Sequence, residues 1–337
     1  MVTRIGINGF GRIGRLALRS MRKYHPSELE VVAINDLADT AANAHLLKYD
    51  TSYGPFDGTV TAGQNDIIVD GSTIRAFSEK DPAKIPWRNY DVDIVIESTG
   101  RFSDRDKAAG HLEGGAKSVI ISTTSGSADI TVVMGVNHQD YDPHRHQIIS
   151  NASCTTNCVT PLVKVIFDKF GIEKALINTV HAYTNDQSLL DIYHKDLRRA
   201  RAAALNIIPT TTGAAKAVAQ VIPELKGLIH GISLRVPVGS VSIADVTAIV
   251  GRDVSAEDIN QALQSAAEGQ LKDILAYCDE PLVSSDFKGN PASCIIDAAS
   301  TMVMSGNMVK ILGWYDNEWG YATRLGDLAA YMGAKSG

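Results

Sequence analysis

Two cysteines are the side chains best suited to covalent chemistry in this chain of 337 residues. Cys154 and Cys158 stand where a run of hydroxyl and amide side chains gives way to an apolar stretch with helical spacing, which predicts a helix N-terminus at Cys154. The positive end of a helix dipole lowers the pKa of a thiol, so Cys154 is a candidate nucleophile. Cys158 lies one turn deeper and should be less reactive. The alternative is that both are small buried hydrophobic residues.

A thiol nucleophile needs a base, and His181 is the best placed of the nine histidines. It follows the apolar run 175–180, a predicted strand, and strand ends point into the clefts of α/β proteins. The sequence does not by itself bring His181 to Cys154, and a structural role for this histidine is the alternative.

Three polar clusters have the composition of an anion site. Residues 184–187, 209–213 and 233–237 supply hydroxyls, a helix start and a guanidinium, which are the groups that hold phosphate. For each cluster taken singly, helix capping by Thr212 or solvation of Arg235 is the simpler explanation.

Residues 9–14 read Gly-Phe-Gly-Arg-Ile-Gly, a GxGxxG motif between a predicted strand and a predicted helix. The glycines allow a tight turn, close approach of the backbone to a pyrophosphate, and packing of helix on strand. Asp36 ends the next predicted strand, about 20 residues further on, where an acid binds the adenosine ribose. A carboxylate there repels a 2′-phosphate, so the sequence predicts a dinucleotide site that favours NAD. The alternatives are a turn without a ligand and a helix-capping role for Asp36.

The elements that would position these residues come in two styles. Before about residue 150, short β-branched runs alternate with helical patterns, which is typical of βαβ units and a mostly parallel sheet. The second half is predicted to contain a helix at 154–170, strands at 173–183, 231–238, 242–251 and 302–315, and helices at 213–222, 256–277 and 320–332. We expect an α/β fold, with a Rossmann-type parallel-sheet NAD domain and an α+β catalytic domain that has a mixed or antiparallel sheet.

Composition excludes several classes of protein. A hydrophobic content of 45% with 21% charged residues argues against disorder, collagen and coiled coil. The net charge of −6 creates no field that attracts nucleic acid or an anionic membrane. Four dispersed cysteines without paired spacing predict neither a disulfide framework nor structural zinc. With no signal-peptide or membrane-span pattern, we expect a cytoplasmic protein that holds no metal.

Four motifs together resemble the phosphorylating glyceraldehyde-3-phosphate dehydrogenases. They are residues 7–15, 152–158 (Ala-Ser-Cys-Thr-Thr-Asn-Cys), 181–184 and 314–320, and they reach across essentially the whole chain. The resemblance implies NAD-dependent conversion of D-glyceraldehyde 3-phosphate and inorganic phosphate to 1,3-bisphosphoglycerate, through a cysteine hemithioacetal and thioester. It also implies a homotetramer, with an NAD domain of residues 1–153 and 316–337 and a catalytic domain of residues 154–315.

The resemblance assigns roles to individual residues. Cys154 would be the nucleophile and His181 the base. The residues expected to hold the cofactor are Gly9, Phe10, Gly11, Arg12, Ile13, Gly14, Asp36, Ser122 and Asn317, the last of which would orient the nicotinamide amide. The residues expected to hold substrate or inorganic phosphate are Ser153, Thr155, Thr184, Asp186, Thr212, Gly213 and Arg235, with Asp186 positioning Arg235. Either Arg198 or Arg201 would assist, and the sequence does not decide between them.

Two departures from the family pattern leave the cofactor open. Tyr193 replaces a proline that NAD-preferring members commonly carry, and residues 122–126 replace the usual Ser-Ala-Pro segment. Leu37 follows the NAD pattern. NAD is therefore expected, and NADP is not excluded.

An alternative activity is that of erythrose-4-phosphate dehydrogenase. Tyr193 and His194 resemble its loop, whereas Thr184 and the intact segment 211–215 argue against it. A nucleic-acid binder without catalysis has little support, because only 6% of the residues are aromatic and the charge is negative. The physiological direction and the regulation do not follow from the sequence.

Overall fold

The structure is a computed structural model that describes residues 2–336. The chain forms two compact units, one comprising the residues up to Ala152 together with those from Ala322 onward, and the other comprising Ser153–Tyr321. Among residues 2–336, no helix is long and apolar enough to span a bilayer.

The first unit is built on a nine-stranded sheet. Its strands are β1 (Thr3–Asn8), β2 (Leu29–Asn35), β3 (Val60–Ala62), β4 (Asp66–Val69), β5 (Ser72–Phe77), β6 (Ile94–Glu97), β7 (Ser118–Ile121), β8 (Ile130–Thr131) and β9 (Ile148–Ser150). Its helices are α1 (Arg12–Tyr24), α2 (Thr40–Lys48), α3 (Arg105–Ala108) and α4 (Gly110–Glu113). In the order β3-β4-β5-β2-β1-β6-β7-β9-β8, the pairings are parallel except those of β4 with β3 and β5. The parallel-sheet prediction is confirmed.

Central strands of this sheet read as continuous apolar runs because both of their faces are covered. All four residues of β6 are buried, and Ile5 and Ile7 of β1 have no exposed surface. The carboxyl ends of β1, β2 and β6 meet at one edge of the sheet, where the turn at residues 9–11 leads into α1.

The second unit holds a seven-stranded mixed sheet. Its elements are α5 (Cys154–Phe170), β10 (Lys174–Ala182), β11 (Ile208–Thr211), α6 (Ala214–Val221), β12 (Ile229–Val236), β13 (Ser242–Ile249), α7 (Ala256–Glu268), β14 (Leu275–Cys278), β15 (Cys294–Met304) and β16 (Met308–Tyr315). The sheet order is β11-β12-β10-β13-β16-β15-β14, in which β10 pairs parallel with β12 and antiparallel with β13. The expected helix at 154–170 and the mixed sheet are confirmed. Helix α8 (Trp319–Ser336) contains the final predicted helix.

Two predictions in the second unit are wrong in extent. Helix α7 ends at Glu268 because Gly269 leaves the helical conformation, with φ and ψ both at −114°, and residues 275–278 form β14 instead. The single strand expected at 302–315 is a hairpin of β15 and β16. Its turn contains Ser305 and Gly306, which both have positive φ, as tight hairpin turns require.

Candidate active site

The GxGxxG segment forms the turn between β1 and α1 in the first unit. Gly9 has a φ of 90°, and a Cβ on it would lie 2.6 Å from the backbone nitrogen of Thr99, so the position requires glycine. A Cβ on Gly14 would overlap the carbonyl oxygen of Gly9. By contrast, a Cβ on Gly11 would meet no heavy atom of the described chain within 4 Å. The backbone at Gly11, which caps α1, is therefore open to a phosphate group.

A cavity of about 310 Å³ adjoins this turn. Its lining includes Asn8, Gly9, Gly11, Asp36, Leu37 and Thr99. The Asp36 carboxylate accepts hydrogen bonds from the N–H groups of Phe10 at 2.8 Å and Ala38 at 3.0 Å, which hold it at the cavity edge. An open glycine backbone beside a fixed carboxylate fits the pyrophosphate and ribose of a dinucleotide. Ser122 follows β7 directly and is not part of this lining.

Cys154 is the first residue of α5 in the second unit. Ser153 caps the helix, because its hydroxyl oxygen accepts a hydrogen bond from the N–H of Thr156 at 3.1 Å. The predicted helix N-terminus at the thiol is confirmed. Cys154 is partly exposed, whereas Cys158 is fully buried, with its sulfur 3.7 Å from the carbonyl oxygen of Gly313.

His181, near the end of β10, lies beside the thiol. Its Nε2 is 3.4 Å from Sγ of Cys154, and its Nδ1 is 2.6 Å from the carbonyl oxygen of Ala182. A carbonyl oxygen can accept but not donate, so we assign the proton to Nδ1. This tautomer leaves the lone pair of Nε2 facing the sulfur. The imidazole can therefore receive the thiol proton.

The surroundings keep both groups neutral. Burial, followed by the positive charge of Arg235, lowers the pKa of His181 to about 3. Burial also raises the pKa of the Cys154 thiol, although Arg235 and the backbone N–H of Thr155 act in the opposite direction. The expectation that the pKa of Cys154 falls is therefore wrong for this site, because desolvation of the thiolate outweighs the favourable charges.

The pairing of β10 with β12 places Arg235 beside His181. It lies on β12 directly opposite His181 on β10, and its Nη1 is 3.1 Å from Nδ1 of His181 and 3.2 Å from the carbonyl oxygen of Ala182. The same Nη1 is 3.4 Å from the hydroxyl of Thr184. A guanidinium and a hydroxyl thus converge beside the imidazole, an arrangement suited to an anionic group.

The structure pairs Asp186 with Arg199 rather than with Arg235. Arg199 forms a close ion pair with Asp186, and its Nε donates to the hydroxyl of Thr210 at 2.9 Å. Neither expected arginine takes this place, because Arg198 contacts the carbonyl oxygen of Pro209 at 3.4 Å and Arg201 pairs with Asp191. Arg199 is thus the residue that the sequence reasoning missed. Its only signal was membership of the basic run 195–201.

Other predicted phosphate ligands make internal hydrogen bonds. The hydroxyl of Thr155 lies 2.9 Å from that of Tyr315, which also contacts the hydroxyl of Thr179 at 2.7 Å. The Thr212 oxygen accepts from the N–H of Ala214 at the start of α6, as the capping interpretation expected, and Gly213 occupies the N-cap position. Among residues 2–336, no cluster of three or more His, Cys, Asp or Glu side chains could hold a metal.

Asn317 is buried in the second unit, after β16. Its Oδ1 accepts a hydrogen bond from the hydroxyl of Ser242 at 3.0 Å. The sequence analysis gave no role to Ser242 or Tyr315. Tyr315 lies within the motif 314–320, whereas a lone serine at the start of a strand carries no motif.

Comparison with known proteins matches both units to one family. Residues 3–105 match the family model described as the NAD binding domain of glyceraldehyde 3-phosphate dehydrogenase, and residues 153–317 match its C-terminal domain. Glyceraldehyde-3-phosphate dehydrogenase 1 of Bacillus cereus is 56% identical over 99% of both chains. Glyceraldehyde-3-phosphate dehydrogenase 2 of Streptomyces avermitilis is 57% identical, and the enzyme of Geobacillus stearothermophilus 56%, each over 99% of both chains. The chain belongs to the glyceraldehyde-3-phosphate dehydrogenase family.

Proposed function

We propose that this chain catalyses the reversible NAD-dependent oxidation and phosphorylation of D-glyceraldehyde 3-phosphate to 1,3-bisphosphoglycerate. The observation that carries the proposal is the 3.4 Å contact between Sγ of Cys154 and Nε2 of His181, with the guanidinium of Arg235 beside the same imidazole. The curated relatives are named for this activity, which favours it over oxidation of erythrose 4-phosphate. The reaction serves glycolysis, and its reverse serves sugar synthesis.

The side chains can carry out the oxidation in a defined order. Nε2 of His181 accepts the proton of the Cys154 thiol, and the thiolate attacks C1 of the aldehyde to form a hemithioacetal. The imidazolium gives this proton to the aldehyde oxygen and removes it again as hydride leaves C1, so that a thioester remains on Cys154. NAD supplies the hydride acceptor. The N–H groups at the start of α5 stabilise the oxyanion.

Thr184 and Arg235 are the groups that hold the C3 phosphate of the substrate in this proposal. The phosphate would offset the positive charge that, together with burial, lowers the pKa of His181. Substrate binding therefore makes His181 a stronger base. In this proposal, Arg235 couples binding of the C3 phosphate to the basicity of His181.

Inorganic phosphate needs a second anion site. Arg199, held by Asp186 beside Thr210, supplies a guanidinium near the start of α6, where Thr212 and Gly213 lie. Ser153 and Thr155, at the start of α5, are its expected partners on the other helix. Attack of this phosphate on the thioester carbon releases the acyl phosphate and restores the thiolate.

The cofactor-binding residues fit NAD. Residues 9–14 would bind the pyrophosphate, Asp36 the adenosine ribose, and Ser122 and Asn317 the nicotinamide end. The two backbone N–H groups that hold the Asp36 carboxylate prevent it from turning away from a 2′-phosphate, so NADP would meet a fixed negative charge. NAD is the cofactor, and its preference over NADP is expected to rest on this carboxylate.

The assembly that we assign is a cytoplasmic homotetramer. Large apolar side chains stand exposed along residues 189–207, among them Leu189 and Tyr193 at 84% and 90%, and a partner subunit would cover them. Four free thiols fit a reducing compartment. Residues 1–153 with 316–337 form the NAD domain in this assignment, and residues 154–315 the catalytic domain.

Initial rates test the proposal directly. NAD and NADP are each supplied with glyceraldehyde 3-phosphate, with and without inorganic phosphate, and reduction is followed at 340 nm. We expect NADH formation that depends on phosphate. A preference for erythrose 4-phosphate without phosphate dependence would reject the proposal, and activity mainly with NADP would reject the role given to Asp36.

A further inference from the structure

Ser242, at the start of β13 in the second unit, forms hydrogen bonds to both Ala182 and Asn317. Its hydroxyl oxygen accepts a hydrogen bond from the N–H of Ala182, the residue after His181, at 3.0 Å. The same hydroxyl donates its proton to Oδ1 of Asn317 at 3.0 Å. Ser242, Ala182 and Asn317 are all buried. One serine thus links the strand that carries the base to the amide expected at the nicotinamide.

These bonds determine which way the Asn317 amide faces. The N–H of Ala182 can only donate, so the Ser242 hydroxyl proton must go to another acceptor, and Oδ1 of Asn317 is that acceptor. If the amide were turned over, Nδ2 would donate to Ser242, and the hydroxyl proton would lose this buried partner. Oδ1 of Asn317 is therefore held against the Ser242 hydroxyl. Within the described chain, no hydrogen bond is formed by Nδ2.

Backbone strain beside Ser242 supports a functional role. The register that pairs Val180 with Ile243 would place Ala182 opposite Val241, but Val241 has a φ of 68°, which a β-branched residue rarely adopts. Its side chain is held in a buried cluster with Phe287 and Ile295. The strand ladder therefore ends, and the Ser242 side chain takes the N–H of Ala182. Strain of this kind persists where the surrounding packing enforces it, often at functional sites.

We propose that Ser242 is a positioning residue that fixes the carboxamide of Asn317, so that Asn317 presents N–H donors and selects the carbonyl oxygen of the nicotinamide amide. This inference rests on the proposed function, because it takes Asn317 as the group that meets the nicotinamide. Ser242 itself does not touch the reacting atoms. Its action passes through Asn317.

The test compares Ser242→Ala with Ser242→Thr, which keeps the hydroxyl. The alanine variant should lose roughly tenfold in kcat with NAD, as expected for one misdirected hydrogen bond, and the threonine variant should recover most of the rate. Calorimetry with NAD gives a readout that does not depend on turnover, and binding should weaken a few-fold in Ser242→Ala alone. Thermal unfolding of each variant identifies a loss that is merely structural.

A cofactor analogue tests whether Asn317 donates a hydrogen bond to the nicotinamide amide or accepts one from it. The 3-acetylpyridine analogue of NAD keeps the ring carbonyl and lacks the amide nitrogen, so the unaltered protein should bind it about as well as NAD. Markedly weaker binding would mean that Asn317 accepts from the amide, and would overturn the proposal.

A double-variant cycle tests the route of the effect. In an Asn317→Ala background, Ser242→Ala should cost nothing further in kcat, because the two residues act as one unit. Additive losses, or an alanine variant equal to the unaltered protein, would also overturn the inference. If the unaltered protein forms no NADH at all, it is the proposed function that fails.

Discussion

Nε2 of His181 lies 3.4 Å from Sγ of Cys154, although the two residues belong to different elements of the second unit. The hydrogen bond from Nδ1 to the Ala182 carbonyl oxygen fixes the tautomer, and burial with Arg235 keeps the imidazole neutral. The site therefore holds a neutral thiol opposite the lone pair of a neutral imidazole.

Replacement of the nucleophile is the most direct check on the covalent step. Cys154→Ser should abolish NADH formation while calorimetric NAD binding stays largely intact, because the thiol alone forms the thioester. Cys158→Ser is the matched control, since Cys158 is buried one turn deeper in α5 and should retain most activity. Substantial turnover by Cys154→Ser would reject the thioester mechanism.

Removal of the base should slow turnover without removing the nucleophile. We expect His181→Asn to lower kcat by on the order of a hundredfold or more, because no imidazole moves the proton. Alkylation of Cys154 by iodoacetamide, measured against pH, should be slower in the variant around neutral pH, because no imidazole accepts the thiol proton. The same substitution at an exposed histidine, His144→Asn, serves as the control. An alkylation profile identical to that of the unaltered protein would contradict the pairing.

Neighbouring arginines distinguish the second anion site. Arg199→Leu should raise the KM for inorganic phosphate about tenfold or more, since the guanidinium that contacts Thr210 is lost. Arg198→Leu removes the same charge one residue away and should change this KM by less than about threefold, which also measures the general effect of net charge. Equal effects of the two substitutions would show that Arg199 has no specific role.

The first unit should show a pH-dependent contribution to stability from His25. The pKa of His25 is raised, first by a hydrogen bond to Asp327 on α8 and also by one to Glu28. Its Nε2 lies 2.6 Å from the Asp327 carboxylate, and its Nδ1 lies 2.7 Å from that of Glu28. A raised folded pKa stabilises the protein below the unfolded value near 6.5, and this stabilisation is lost as the pH rises through the folded pKa.

His25→Gln should therefore lower the free energy of unfolding by about 1 kcal/mol at pH 6 and by much less at pH 9. Thermal unfolding at the two pH values measures the difference, with His144→Gln as an exposed control. A loss that is the same at both pH values would mean that packing rather than charge accounts for the effect.

The local features of this protein could be predicted from sequence because short-range physics determines them. The GxGxxG turn, the start of α5 at Cys154 and the parallel first sheet follow from glycine conformation, helix capping and continuous apolar strands. The end of α7 and the turn of the β15–β16 hairpin were predicted wrongly. In both places the apolar pattern continues past the residues that end the element, which are Gly269 and the Ser305–Gly306 turn.

Tertiary structure decided which side chains meet. Strand register placed Arg235 opposite His181, and an irregular segment turned Arg199 rather than Arg198 or Arg201 toward Thr210. The start of β13 placed the hydroxyl of Ser242 within hydrogen-bond distance of Asn317. Burial then reversed the expected change in the pKa of Cys154. The reactive residue types and the elements that carry them follow from the local sequence. Their contacts and charge states depend on pairings between distant segments and on desolvation, neither of which a local pattern encodes.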